Sequence, residues 1–174
     1  IYRISMQRVS LGEVVSNSEM FETVASDTDL IALYMYDDTQ LKEYIQKNED
    51  NKLVVALAYL DNYEEALESV EDVRRSLLIA LIDRKITKYF SNFDGLVKKL
   101  EKDKYFLIMR QSSLEALKEQ RFHILDEVKT VNIGNEMAIT LSIGIGLNAA
   151  NYIQNYEYAR IAIEMALGRG GDQV

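Results

Sequence analysis

Two short apolar runs with four charged residues between them constrain this chain more than any other stretch. Val97–Leu100 and Tyr105–Met109 are rich in strand formers, and only Glu101, Lys102, Asp103 and Lys104 separate them, which predicts a β-hairpin with a charged tip. A hairpin fixes its two strands as antiparallel and so sets the direction of part of a sheet. A second predicted strand, Leu53–Leu60, runs into Asp61 and Asn62, and a third, Met137–Leu147, reads MAITLSIGIGL. If the three pair, Asp61 and Asp103 stand at adjacent strand ends. Taken alone, the tip is most simply read as a solvated turn, so its meaning depends on its surroundings.

The remaining elements follow from periodicity. Residues 1–9 alternate as a strand does, and Asp29–Tyr36 form a stronger one, with a polar connection between them. Asp37, Asp38 and Thr39 are candidate caps for a helix carrying Leu41, Tyr44 and Ile45, and the charged patch Lys47–Lys52 reads as a linker. Two strands and a helix are too small a core for a domain, so the boundary is expected near residue 45, with segments 1–45 and 46–174. From Leu53 the order is strand, helix (Tyr63–Val70), helix (Val73–Tyr89), hairpin, helix, strand, helix. Val73, Leu77, Ala80, Leu81 and Ile86 are the expected core stripe of the second helix. Ser112 or Ser113 is expected to cap a helix running through Val128, with Leu114, Leu117, Phe122 and Leu125 on its stripe. A last helix, Tyr152–Leu167, is closed by Gly168. This order predicts an α+β sandwich of the ferredoxin-like kind, a mixed sheet with helices packed on it.

Bulk chemistry excludes several functions. The 174 residues carry a formal net charge of −8 without a clustered basic face, which disfavours nucleic acid and anionic lipid surfaces as partners. Cys is absent and His123 is the single histidine, so neither a disulfide framework nor a thiolate or multi-imidazole metal site can be built. No apolar run approaches the roughly 20 residues of a membrane span. The first residue is Ile1 rather than Met, and the reading is of a segment from a longer protein.

Three motifs carry a resemblance. Tyr59, Leu60, Asp61, Asn62 and Tyr63 fall where the GGDEF domains of diguanylate cyclases have Asp, any residue, Asp, any residue, Phe. Glu101–Tyr105 fall on Gly, Gly, Asp or Glu, Glu, Phe, and Thr140–Gly146 read TLSIGIG. The run DNYEE from Asp61 and the terminal LGRGGDQV from Leu167 are similar to the GdpP/YybT family of membrane-bound cyclic di-AMP phosphodiesterases. That resemblance implies a degenerate GGDEF domain preceded by the C-terminal part of a PAS domain, whose last strand would be DLIALYMYDDT. It also implies a DHH/DHHA1 catalytic module using Mn2+ outside this chain, cyclic di-AMP as that module's substrate, a homodimer, and a place on the cytoplasmic side of the bacterial membrane.

The departures from the cyclase pattern have chemical consequences. A cyclase holds two divalent metals against a triphosphate through acidic ligands at both strand ends. Here Tyr59 occupies the first acidic position, and Asp103 alone matches the tip, so metal binding there is expected to be weak. Glu101 and Lys102 replace the glycines that let backbone approach the nucleotide. In gap-free register the base-reading positions fall on Leu67 and Ser76, the phosphate-binding lysine on Leu167, and the product-inhibition pair on Asn92 and Gly95. No diguanylate cyclase activity is expected. Asp61, Asn62, Lys102, Asp103 and Lys104 remain the candidate nucleotide-binding residues, for ATP with Mg2+, bound or feebly hydrolysed. A structural dimerisation domain with no nucleotide site is the alternative. His123 reads as a satisfied helix histidine and not a ligand or base, Gly168–Gly171 as helix terminator plus interdomain hinge, and Arg74 and Arg75 as helix-surface partners of Glu71 or Asp72.

Overall fold

The computed structural model describes residues 1–10 and 29–174, with side chains for residues 1–8 and 31–174. The polar connection expected between the first two strands lies outside the described residues. Two compact units emerge, residues 1–48 and 49–174.

In the first unit β1 (Tyr2–Ser10) pairs antiparallel with β2 (Asp29–Asp37) from Tyr2↔Asp37 to Ser10↔Asp29. The register puts Ile4, Met6, Leu33 and Met35 on one face, all solvent-exposed. Asp37 Oδ1 accepts the Thr39 backbone N–H at 3.0 Å where α1 (Thr39–Asn51) begins. The patch expected as a linker, Lys47–Lys52, is helical as far as Asn51. It holds neither Gly nor Pro, and Lys52 pairs with Glu49 at 2.7 Å one turn back.

The second unit is a four-stranded sheet in the order β4-β5-β3-β6. The strands are β3 (Leu53–Leu60), β4 (Leu96–Lys99), β5 (Lys104–Arg110) and β6 (Leu141–Gly146). Every neighbouring pair is antiparallel, not mixed as the sequence reading had it. Strands linked through helices do run parallel to one another, but they are never neighbours. β5 lies between β3 and β4, and β3 lies between β5 and β6, so each crossover spans an oppositely directed strand. This is the ferredoxin-like solution.

One face of the sheet carries the main core. There β3 contributes Val54, Ala56, Ala58 and Leu60, and β5 contributes Tyr105, Leu107 and Met109. They are covered by α2 (Tyr63–Glu68), α3 (Asp72–Ser91), α4 (Gln111–Glu119) and α5 (Ile124–Lys129). The buried stripe of α3 is Leu78, Ile82, Ile86 and Tyr89, displaced from the expected one; Val73 and Leu77 are exposed. Both stripes have helical spacing, and the sheet takes the one that continues into Tyr89 and Phe90. The single helix expected through Val128 is two, because Arg121 and Phe122 adopt φ of 52° and 50°. That left-handed turn costs roughly 1–2 kcal/mol per residue, offset by the burial of Leu117, Ile124 and Val128 on its two sides. Ser112 and Ser113 lie inside α4, whose first N–H, that of Gln111, is taken by Lys52 O at 2.8 Å.

The opposite face is covered by α6 (Tyr152–Gly168), capped by Asn151, whose side chain accepts the Gln154 N–H at 2.9 Å. Ala159 and Ile163 pack on Val55 and Leu57. Gly144 and Gly146 of β6 make the approach possible, since a Cβ on either would collide with α6 at Asn155, Ala159 or Ile163. Leu96, opposite Ile108 on the same face, is left exposed. Among the described residues no helix is long and apolar enough to cross a membrane.

Candidate functional site

The charged tip is held against the end of β3. Leu100 and Glu101 N–H groups both reach Lys104 O, at 2.9 and 3.3 Å, closing the turn, and Leu60 N donates to Asp103 O at 2.9 Å. Tyr59 lies opposite Lys104 in the register, and the Lys104 Nζ stands 5.4 Å above its ring. Lys104 also pairs with Glu101 at 2.8 Å, and that carboxylate raises its pKa above the ordinary lysine value. Asp103 and Lys102 are the charged tip residues whose side chains make no hydrogen bond or ion pair among the described residues.

Beside the tip opens a cleft of 550 Å³. Tyr63, Glu64 and Leu67 of α2 and Ile79 of α3 form one wall, and the hairpin segment Lys99–Lys102 forms the other. Leu67, Ile79 and Leu100 give its lining apolar surface, and Glu64, Glu101, Lys99 and Lys102 give it charged groups of both signs. Leu67, at one base-reading position, lines the cleft without a hydrogen-bonding group. Ser76, at the other, does not line it.

Beneath the cleft lies a network that sequence reading missed. Tyr105, 1% exposed, donates a short hydrogen bond to Asp83 Oδ1. Lys99 Nζ donates to both oxygens of Asp83, at 2.8 and 3.0 Å. The hairpin is thereby tied to α3 by one carboxylate. The only sequence signal was that Tyr105 stands where the GGDEF pattern has Phe, so a hydroxyl had to find a partner.

Asp61 and Asn62, grouped with the tip by sequence, are directed elsewhere. The Asn62 side chain donates to Ala138 O at 2.8 Å and accepts the Thr140 N–H at 3.0 Å. Asp61 N donates to Thr140 O at 3.0 Å. The Asn62 side chain thus holds residues 138 and 140 just ahead of β6, which begins at Leu141 and not at Met137 as expected. Asp61 Oδ2 accepts the backbone N–H of Asp172 at 2.8 Å, in the terminal motif. The strand ends of Asp61 and Asp103 are adjacent as expected, but the Asp61 carboxylate is engaged with the turn after α6.

The other candidates have structural surroundings. His123 lies exposed at the start of α5, 3.6 Å from Asp126. Arg74 and Arg75 pair with Glu71 and Asp72 at 3.7 and 2.9 Å, as expected. Gly168 is the last residue of α6 and not its terminator; the first left-handed residue after it is Gly170, with φ of 106°.

Residues 58–174 match the model of a family described as cyclic-di-AMP phosphodiesterase GdpP-like, GGDEF domain. The chain is 34% identical over 154 residues to the cyclic-di-AMP phosphodiesterase PdeA of Listeria monocytogenes, a match covering 88% of this chain and 23% of that protein. It is 32% identical to the cyclic-di-AMP phosphodiesterase GdpP of Geobacillus thermodenitrificans, covering 82% and 22%. The chain thus spans less than a quarter of the length of either relative. Among solved structures it resembles the active GGEEF domain of a diguanylate cyclase from Vibrio cholerae, with a TM-score of 0.60 at 12% identity, covering 76% of this chain and 87% of that one. The GGDEF domain of DgcB from Caulobacter crescentus gives a TM-score of 0.60 at 14% identity, covering 79% and 83%. At these identities the structural likeness establishes the fold.

Proposed function

The chain belongs to the cyclic-di-AMP phosphodiesterase GdpP-like GGDEF family, and on that premise we propose that it is a regulatory region of a membrane-bound cyclic di-AMP phosphodiesterase. In this reading residues 1–45 are the end of a PAS-like domain. Residues 46–174 are a GGDEF domain that makes no cyclic di-GMP and takes a nucleoside triphosphate, ATP with Mg2+, at the hairpin tip. Cyclic di-AMP hydrolysis, with its Mn2+, belongs to a DHH/DHHA1 module beyond this chain, to which the domain relays its state.

The observation that carries the reading is the cleft lined by Lys102, whose side chain is uncommitted, with the uncommitted carboxylate of Asp103 next to it in the turn. The donor set fits one Mg2+ held by Asp103, phosphate oxygens and water, because Tyr59 offers a phenol where a second carboxylate is needed and Asp61 is already engaged. Mg2+ would supply charge neutralisation on the phosphates. Lys102 and Lys104 contribute the remainder as point charges. Leu67 gives guanine nothing to bond, which removes the basis for preferring GTP.

Titration of the chain with ATP, GTP and both cyclic dinucleotides in Mg2+ checks this. Saturable ATP binding is expected, weakened about tenfold, or about 1.4 kcal/mol, by Lys102→Ala or Asp103→Asn. Incubation with GTP is expected to yield no cyclic di-GMP; its formation, or ATP binding indifferent to both substitutions, would refute the assignment. A second reading, a subunit-pairing domain with a blank site, is favoured by the exposed Leu96 beside Ile108, and silence in every titration would select it.

A further inference from the structure

The terminal motif is fastened at several points. Gly170, Gly171 and Asp172 take three successive left-handed conformations, with φ of 106°, 76° and 57°. Asp172 is not glycine, so this path is unfavourable unless other contacts hold it. Its backbone N–H goes to Asp61 Oδ2 at 2.8 Å, and its carboxylate pairs with Lys129 of α5 at 2.6 Å. Gln173 then donates from Nε2 to Ala166 O at 2.9 Å, and its carbonyl accepts the Ile143 N–H of the β6 edge, also at 2.9 Å. A Cβ at Gly171 would stand 2.7 Å from the Asp61 carboxylate, so the turn is shaped around that side chain. One oxygen each of Asp61 and Asp172 is buried without a partner among the described residues, a cost that the contacts of the turn must offset.

Asp61 directly follows Leu60, whose N–H holds the hairpin tip through Asp103 O. Two consecutive residues at the end of β3 therefore grip the tip and the departing chain. We propose that Asp61 is a positioning residue for a strap, Gly170–Gln173, and that through it the hairpin tip and the path of the chain leaving α6 are mechanically linked. Of the two positions matched to acidic residues at this strand end, Tyr59 has none and Asp61 keeps its carboxylate. The carboxylate holds the strap instead of a metal. A shift of the tip that moves the β3 end moves the strap with it, which is the kind of two-ended element a relay needs.

Amide hydrogen exchange on the whole chain tests this and needs no nucleotide, so failure of ATP binding leaves it decided on its own terms. In Asp61→Ala the Asp172 and Ile143 amides are expected to exchange about tenfold faster or more, while Ala56 and Leu107 in the sheet keep their protection. Asp61→Asn retains an acceptor oxygen and is expected to restore protection to within about threefold of the parent. Unchanged protection of both amides in Asp61→Ala, or an equal loss throughout the sheet, would overturn the proposal. So would failure of Asp61→Asn to restore what Asp61→Ala loses.

Discussion

Gly146→Val is expected to lower the unfolding free energy by about 3 kcal/mol or more, seen as a fall in the urea midpoint at unchanged slope. The sheet face beneath α6 has no room for a side chain at this point, because a Cβ on Gly146 would lie inside the backbone at Asn155. Relief would require moving a helix whose Ala159 and Ile163 are fully buried against Val55 and Leu57. Close-packed interiors transmit such displacements and do not absorb them. Gly168→Ala is the matched control. Nothing lies within 4 Å of a Cβ there, and the residue is helical, so a gain of about 0.5–1 kcal/mol is expected. Equal effects at the two glycines would show that α6 does not pack as described.

Tyr105→Phe is expected to flatten the alkaline limb of the stability profile by one proton. Burial first, and the hydrogen bond to Asp83 second, push the Tyr105 phenol well above its ordinary value of 10.0. Below pH 10 folded and unfolded chains both keep this proton, and its contribution is constant. Above it the unfolded chain releases the proton while the folded chain retains it. Stability then falls by about 1.4 kcal/mol for each further pH unit. Burial shifts Tyr59, Tyr63 and Tyr89 in the same direction, so the substitution reduces the slope without abolishing it. At neutral pH Tyr105→Phe is expected to cost about 1 kcal/mol, since Asp83 keeps Lys99. Asp83→Ala leaves a buried hydroxyl and Lys99 unpaired together, and about 2–3 kcal/mol is expected. Denaturant titrations between pH 7 and 11 read both effects, and an alkaline slope identical in Tyr105→Phe and the parent would contradict the buried geometry.

Strand identity and the charged tip were legible because alternation, a four-residue gap and continuous apolar runs are local signals. Beyond the hairpin, the direction of neighbouring strands was not. Whether a helical crossover ends beside its starting strand or one position further is decided by which strand fills the gap, and nothing within β3 or β6 encodes that. The α3 stripe was misread because Leu77 and Leu78 both belong to plausible faces, and only the position of the sheet chooses between them. The break at Arg121 and Phe122 carried no glycine to announce it. At the site, Lys102 and Asp103 stand where the hairpin pattern put them. The orientation of Asp61 depends on a bond to Asp172, a partner more than a hundred residues away, and local spacing is silent on such pairs.

The strand order has a consequence for how the chain comes to be folded. β3 is central in space yet first in synthesis within its unit, and both of its neighbours follow much later: Val55 must wait for Ile108 on one side and for Gly146 on the other. Until then a ribbon of Val, Ala and Leu has both hydrogen-bonding edges open, so the nascent chain is most vulnerable to sticking to its copies before the last helix has left the ribosome.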